Sequence, residues 1–135
     1  MKIGNVKRQE ILLMASVLLA EACGEGKEGM QMVGEVIINR VMDNRFPNTI
    51  TDVICQPNQF SCLKLNSKDY PLITDVFLSD EYLDALEVAV TLVKGNYTPL
   101  LDLNVTAFHS GPRPQSKYWN LLELKKEFKN HKFYA

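Results

Sequence analysis

Apolar residues run almost without interruption from Ile11 to Ala20. Ile11, Leu12, Ala15, Val17, Leu18, Leu19, Ala20 and Ala22 cover most of a helical circumference, which predicts a helix over about Lys7–Cys23 that is buried on most sides and central. Gly24 and Gly26 stop it. A second helix is predicted from about Glu28 to Met42. Met32, Val33, Val36, Ile37 and Val41 recur at i, i+3, i+4, while Gln31, Glu35 and Asn39 fall largely on other sides. Thr49 followed by Asp52 marks an N-cap for a short helix ending at Ile54.

From Gln56 to Asp75 the pattern is irregular and contains Pro57 and Pro71. Long loops in compact domains are more often functional than accidental. Ser79 can cap a helix over Asp80–Lys94 with Leu83, Leu86, Val90 and Val93 inward and Gly95 as its C′ residue. Asn104–His109 reads as a strand, Gly111-Pro112-Arg113-Pro114 as a turn, and His131–Tyr134 as a strand able to pair with the first. Pattern alone leaves Leu121–Lys129 undecided between helix and strand. Helices first and a small sheet last give an α+β, mostly helical class.

At 135 residues the chain is expected to be one domain, residues 1–135, with a hydrophobic core large enough to need no metal or disulfide. Apolar and charged shares of 46% and 23% are those of an ordinary globular protein. A net charge of −1 does not point to nucleic acid or an anionic membrane. The run Lys125, Lys126, Lys129, Lys132 reads as a solvated face. Lys2, Lys7 and Arg8 precede the first apolar stretch, but that stretch ends in Glu21 and Glu25 without a small-x-small cleavage site and is too short to span a bilayer. It is therefore read as a core helix, in a protein made in the cytoplasm without a visible signal peptide. Three cysteines, Cys23, Cys55 and Cys62, argue against a disulfide framework and are expected to be free and partly buried. With only His109 and His131 beside them, no metal site and no cofactor are expected.

Chemistry concentrates where the first helix ends. A carboxyl group there, half in the core and at the negative pole of the helix dipole, is poorly solvated when charged and tends to hold a proton. Glu21 is so placed and could serve as the acid of glycosidic cleavage. Glu25 could act on it, and both could equally be exposed helix-end acids. Cys23 with His109 is a rival, a thiol–imidazole pair for acyl transfer as in peptidases and amidases. Cys23 sits at the helix pole that does not favour a thiolate. Amides and aromatics suit sugar recognition, so Gln56, Gln59, Phe60, Ser61, His109 and Trp119 join Glu25 as candidate substrate contacts. Tyr118 is read rather as core, and His131 as structural.

The ordered run Leu18-Leu19-Ala20-Glu21-Ala22-Cys23-Gly24-Glu25, Glu28-Gly29, Val33-Gly34, Val36, Asn39-Arg40-Val41, Phe46-Pro47-Asn48-Thr49-Ile50, Val53-Ile54, Gln56-Pro57 and Gln59-Phe60-Ser61 resembles the SleB/CwlJ-type cell-wall hydrolases, the family of spore cortex-lytic enzymes. The likeness thins through Leu63–Leu103 and returns with Ala107-Phe108-His109, Tyr118-Trp119 and His131-x-Phe133-Tyr134. It implies a lysozyme- or lytic-transglycosylase-like catalytic domain that cleaves peptidoglycan glycan strands in the cell wall or spore cortex, with Glu21 as the catalytic acid. Cys23 stands where the family commonly has arginine, so any part that arginine plays is missing here. The roles the resemblance leaves open are a spore enzyme, a vegetative autolysin and a phage lysin, the absence of a visible export signal favouring the last. The alternatives beside it are a Cys23/His109 peptidase or amidase acting on the stem peptide and a non-catalytic wall-binding module.

Overall fold

The computed structural model describes residues 4–56 and 80–135. Helix α1 (Arg8–Ala22) leads into α2 (Gly26–Met42), the short α3 (Ile50–Ile54) and α4 (Asp80–Lys94). After a linking segment come β1 (Ala107–Ser110), the single turn α5 (Lys117–Asn120), β2 (Leu124–Phe128) and β3 (His131–Tyr134). The predicted segment at Gln56–Asp75, apart from Gln56 itself, and the cap at Ser79 lie outside the described residues. Among the described residues no helix is long and apolar enough to cross a membrane.

As its pattern foretold, α1 is buried almost all round, from Met14 to Leu19. It packs on α4, α2 and α3. At its start Glu10 accepts from Lys7 N at 3.2 Å and, across the fold, from Thr51 N at 2.9 Å and Thr51 Oγ1 at 3.0 Å. Burial opposes ionisation of Glu10, but these hydrogen bonds outweigh it and hold the carboxyl below its ordinary range. Thr49 caps α3 through Asp52 N at 3.1 Å. Gly95, at φ +76°, ends α4 in a Schellman turn, with Gly95 N bonded to Leu92 O and Asn96 N to Thr91 O.

Helix α2 departs from its reading. Glu35, Asn39 and Arg40, taken from pattern as an outward side or left out of the core, are buried. Each is satisfied by the backbone of residues 100–106. Glu35 accepts from Leu100 N at 3.0 Å and Leu101 N at 3.0 Å. Asn39 donates to Asp102 O and Val105 O at 3.0 and 2.9 Å, and Arg40 Nε to Thr106 O at 2.7 Å. The polar stripe therefore faces a second layer of chain rather than water. Helix α4 is turned from its predicted face: Tyr82, Ala85, Val88, Ala89 and Leu92 point inward, and Leu83 is 64% exposed.

The three strands form an antiparallel sheet in the order β1-β3-β2. The β1–β3 pairing is the expected one, in the register Ala107↔Tyr134, His109↔Lys132 and Ser110↔His131. The undecided stretch supplies the edge strand β2, whose residues Leu124–Glu127 are exposed. Charged side chains on such an edge discourage pairing with another chain. Its lysines are interleaved with acids, Lys125 with Glu123 at 3.2 Å and Lys132 of β3 with Glu127 at 4.0 Å.

Candidate active site

The junction of α1 and α2 carries the two acids that the sequence singles out. Glu21 lies in the last turn of α1 and is partly buried. The chain then turns sharply, with Gly24 at φ +87° and Gly26 at φ +75°, a left-handed conformation that glycine adopts without steric cost. Glu25 N bonds back to Ala22 O at 3.0 Å, closing the end of α1. Cys23 is exposed in this turn, as Cys55 is after α3, whereas both were expected to be partly buried. Short polar turns and helix ends offer no apolar wall to cover them.

Glu25 points inward and is 6% exposed. Its Oε1 lies 2.6 Å from His131 Nδ1. Its Oε2 accepts from Asn130 N at 3.1 Å, and its carbonyl accepts from Lys129 Nζ at 3.3 Å. One residue thus meets the whole β2–β3 turn. Gly29, one helical turn on, leaves the room: a Cβ there would stand 2.7 Å from Glu25 Cβ and 3.3 Å from Phe128 Cε2.

Strand alternation separates the remaining candidates. His131 and Phe133 share one face of the sheet with Phe108, whose ring centroid is 5.5 Å from that of His131 and 5.9 Å from that of Phe133. This is the face that meets Glu25. His109, Lys132 and Tyr134 share the other. There His109 Nε2 is 2.9 Å from Tyr134 Oη, and Trp119 sets its ring edge-on to both, at 5.4 and 5.3 Å. Arg113 lies over the Tyr134 ring at 4.8 Å and donates to Leu122 O at 2.9 Å and to Trp119 O. Burial pushes the His109 pKa down, against the pull of the Ser110 and Gly111 backbone and aided by Lys132 and Arg113.

Glu25 and the pair His109–Trp119 therefore lie on opposite sides of one sheet. Gln56 is half-buried just past α3, and Gln59, Phe60 and Ser61 lie outside the described residues. Tyr118, read as core, is 46% exposed, because α5 is a single turn that buries only part of Trp119. Pattern also passed over His131 as a partner of Glu25. The alternation of His131-Lys132-Phe133 was its only signal, since it sets His131 on the side of the core residue Phe133.

A cleft of about 350 Å³ opens between α2 and α4, lined by Gln31, Glu28, Thr91 and Tyr97 among others. A second depression lies at Asn39, Asp43, Arg45 and Asn104. Neither is lined by Glu21 or Glu25. Among the described residues no three His, Cys, Asp or Glu side chains gather as a metal ion would require.

Residues 24–134 match the family model described as cell wall hydrolase. A spore cortex-lytic enzyme of Oceanobacillus iheyensis is 39% identical over 56 residues, 42% of this chain and 20% of that protein. Cell wall hydrolase CwlJ of Bacillus subtilis is 45% identical over 58 residues, 40% of this chain and 41% of that one. The chain thus spans less than half the length of these curated relatives. Among solved structures, the catalytic domain of the Bacillus cereus SleB protein superposes with a TM-score of 0.71 at 24% identity, covering 99% of this chain and 95% of that one. The catalytic domain of the germination-specific lytic transglycosylase SleB from Bacillus anthracis superposes at 0.70 and 23% identity, with 98% of each chain covered. The fold is thus that of these domains, α+β and mostly helical with a small antiparallel sheet, as expected. The family match takes in the Glu25 turn, all of α2 and the entire sheet; the chain belongs to the cell wall hydrolase family, of the SleB/CwlJ type.

Proposed function

We propose that the chain cleaves peptidoglycan glycan strands at the β-1,4 bond between N-acetylmuramic acid and N-acetylglucosamine, with Glu21 as acid and then base. The observation that carries this reading is the position of Glu21. It is a partly buried carboxyl in the last turn of a helix whose middle, Met14–Leu19, is enclosed in the core, beside a glycine-bounded break, in a chain of the cell wall hydrolase family. A rigid helix end holds an acid within the narrow tolerance that proton transfer demands.

Protonated Glu21 gives its proton to the glycosidic oxygen as the bond from the muramoyl C1 breaks through an oxocarbenium-like state. The carboxylate then takes a proton from whichever oxygen attacks C1. If that is water, the product is a reducing end; if it is the muramoyl C6 hydroxyl, the product is a 1,6-anhydro end. Both routes return Glu21 to its protonated form and need no cofactor. Trp119 and the segment that starts at Gln56 are the candidates for holding the glycan, and the place of action is the cell wall or spore cortex.

Glu21→Gln should lower release of muropeptides from purified peptidoglycan by about 10²–10⁴-fold with an unchanged circular-dichroism spectrum, and Cys23→Ser should leave release intact. Mass spectrometry of the products assigns the bond: reducing or anhydro muramic ends support the reading. Free stem peptides, with activity lost in Cys23→Ser and kept in Glu21→Gln, would show a thiol amidase instead.

A further inference from the structure

We infer that Glu25 is a positioning residue, not a glycan contact: it latches the β2–β3 hairpin to the turn that fixes the end of α1, and so sets where Glu21 points. The inference rests on Glu21 being the acid. A carboxylate that is 6% exposed against an imidazole that is 4% exposed has little surface left for a sugar. Its Oε2 accepts from Asn130 N at 3.1 Å, and its Oε1 is in close contact with His131 Nδ1 at 2.6 Å, without hydrogen-bond geometry, so both oxygens are turned into the fold.

The hairpin has a reason to need this hold. Its turn residue Lys129 has φ +51° and is not a glycine, a left-handed conformation that brings Cβ against the backbone of any residue that carries a side chain. Strain of that kind persists where the surroundings over-determine it. Here Glu25 supplies the constraint at three successive residues, through its carbonyl to Lys129 Nζ, its Oε2 to Asn130 N and its Oε1 to His131. The same residue donates its own N–H to Ala22 O, one residue after Glu21. Movement of the hairpin is therefore carried to the last turn of α1 through a single residue, and Gly29 and Phe128 leave no slack beside it.

The test uses soluble uncrosslinked glycan strands and four variants: Glu25→Ala, His131→Ala, the double variant, and Glu25→Gln. Each single alanine should lower kcat about 10–100-fold, the scale of a misplaced catalytic group, with KM within about twofold of the parent. The double variant should be no worse than the poorer single one, since both remove the same contact. Glu25→Gln, which keeps an acceptor for Asn130 N–H, should recover most of the kcat. Independently of turnover, hydrogen exchange of the Asn130 amide should speed up in Glu25→Ala. A raised KM with kcat preserved, additive losses, or unchanged Asn130 exchange overturns the latch. Activity retained in Glu21→Gln strikes at the acid instead, and Asn130 exchange still reads the latch in that protein. If Glu25→Ala does not fold, His131→Ala carries the loss of kcat and Glu25→Gln its recovery, and equal kcat in His131→Ala and the parent overturns the latch.

Discussion

Gly34 shows how much a single position constrains. A Cβ there would overlap Leu92 Cδ1 and come within 3.2 Å of Met14 Cε and 3.3 Å of Leu18 Cδ2, so α2 approaches both α1 and α4 through the missing side chain. Replacing a helical glycine by alanine normally gains about 1 kcal/mol. Overpacking a filled core costs about 1–3 kcal/mol, and Leu92 is fully buried with little room to retreat. The cost should win: Gly34→Ala is expected to lower the urea midpoint with an unchanged m-value, and Gly34→Val to lower it further. A rise in the midpoint would mean that the three helices can part at no cost.

At the scale of the element, α2 is the scaffold on which residues 100–106 are hung. Its buried Glu35, 2% exposed, takes two backbone N–H groups, from Leu100 and Leu101, and the side-chain amide of Gln31 at 2.8 Å. Asn39 and Arg40 continue the line toward the start of β1. Removing one partner leaves the others buried without an acceptor, at about 1–3 kcal/mol for each orphaned group. Glu35→Ala should therefore cost on the order of 2–4 kcal/mol in chemical denaturation, and Glu35→Gln less, since it keeps one acceptor oxygen. A loss below about 0.5 kcal/mol, the usual limit for a surface change, would show that the linking segment holds itself.

At the scale of the molecule, three groups among the described residues, His109, Glu10 and Asp43, have depressed pKa values that bear on the response to acid. Each is stabilising in its deprotonated form, so its contribution is complete above its ordinary pKa and is lost as pH falls through the folded value. His109, buried beside Tyr134 and Trp119, begins to draw on stability below its ordinary 6.5. Glu10, held by Lys7 and Thr51, follows below 4.5. Asp43, bonded through its side chain to Arg45 and pushed down to about 2, is last. The melting temperature should fall stepwise from neutral pH into acid. His109→Gln should flatten the limb just below pH 6.5 and Glu10→Gln the limb below pH 4.5. A limb unaltered by Glu10→Gln would mean that the tie between α1 and α3 carries no weight.

Much of this protein was legible as pattern. Helix α1, the Thr49 cap, the Gly95 stop and the β1–β3 pairing each arise from residues a few positions apart, or from alternation that only one register satisfies. The place of Glu21 at a helix end was legible for the same reason: an apolar run that ends in a carboxyl and a glycine is a local signal. What pattern could not supply depends on partners far along the chain. Glu35 and Asn39 read as solvent-facing because the peptide groups they satisfy lie 63 to 66 residues away. The face that α4 buries was decided by α1 and Gly34 of α2, not by its own spacing of leucines. Whether Glu25 is a surface acid or a latch was decided by a hairpin turn 105 residues on. The sequence by itself determined helices α1 to α4, strands β1 and β3, and a carboxyl at the end of α1, because hydrogen bonding and capping within a helix are local. Only the tertiary structure decided which polar groups lie inside, because burying a charge is tolerable only where distant chain brings it a partner.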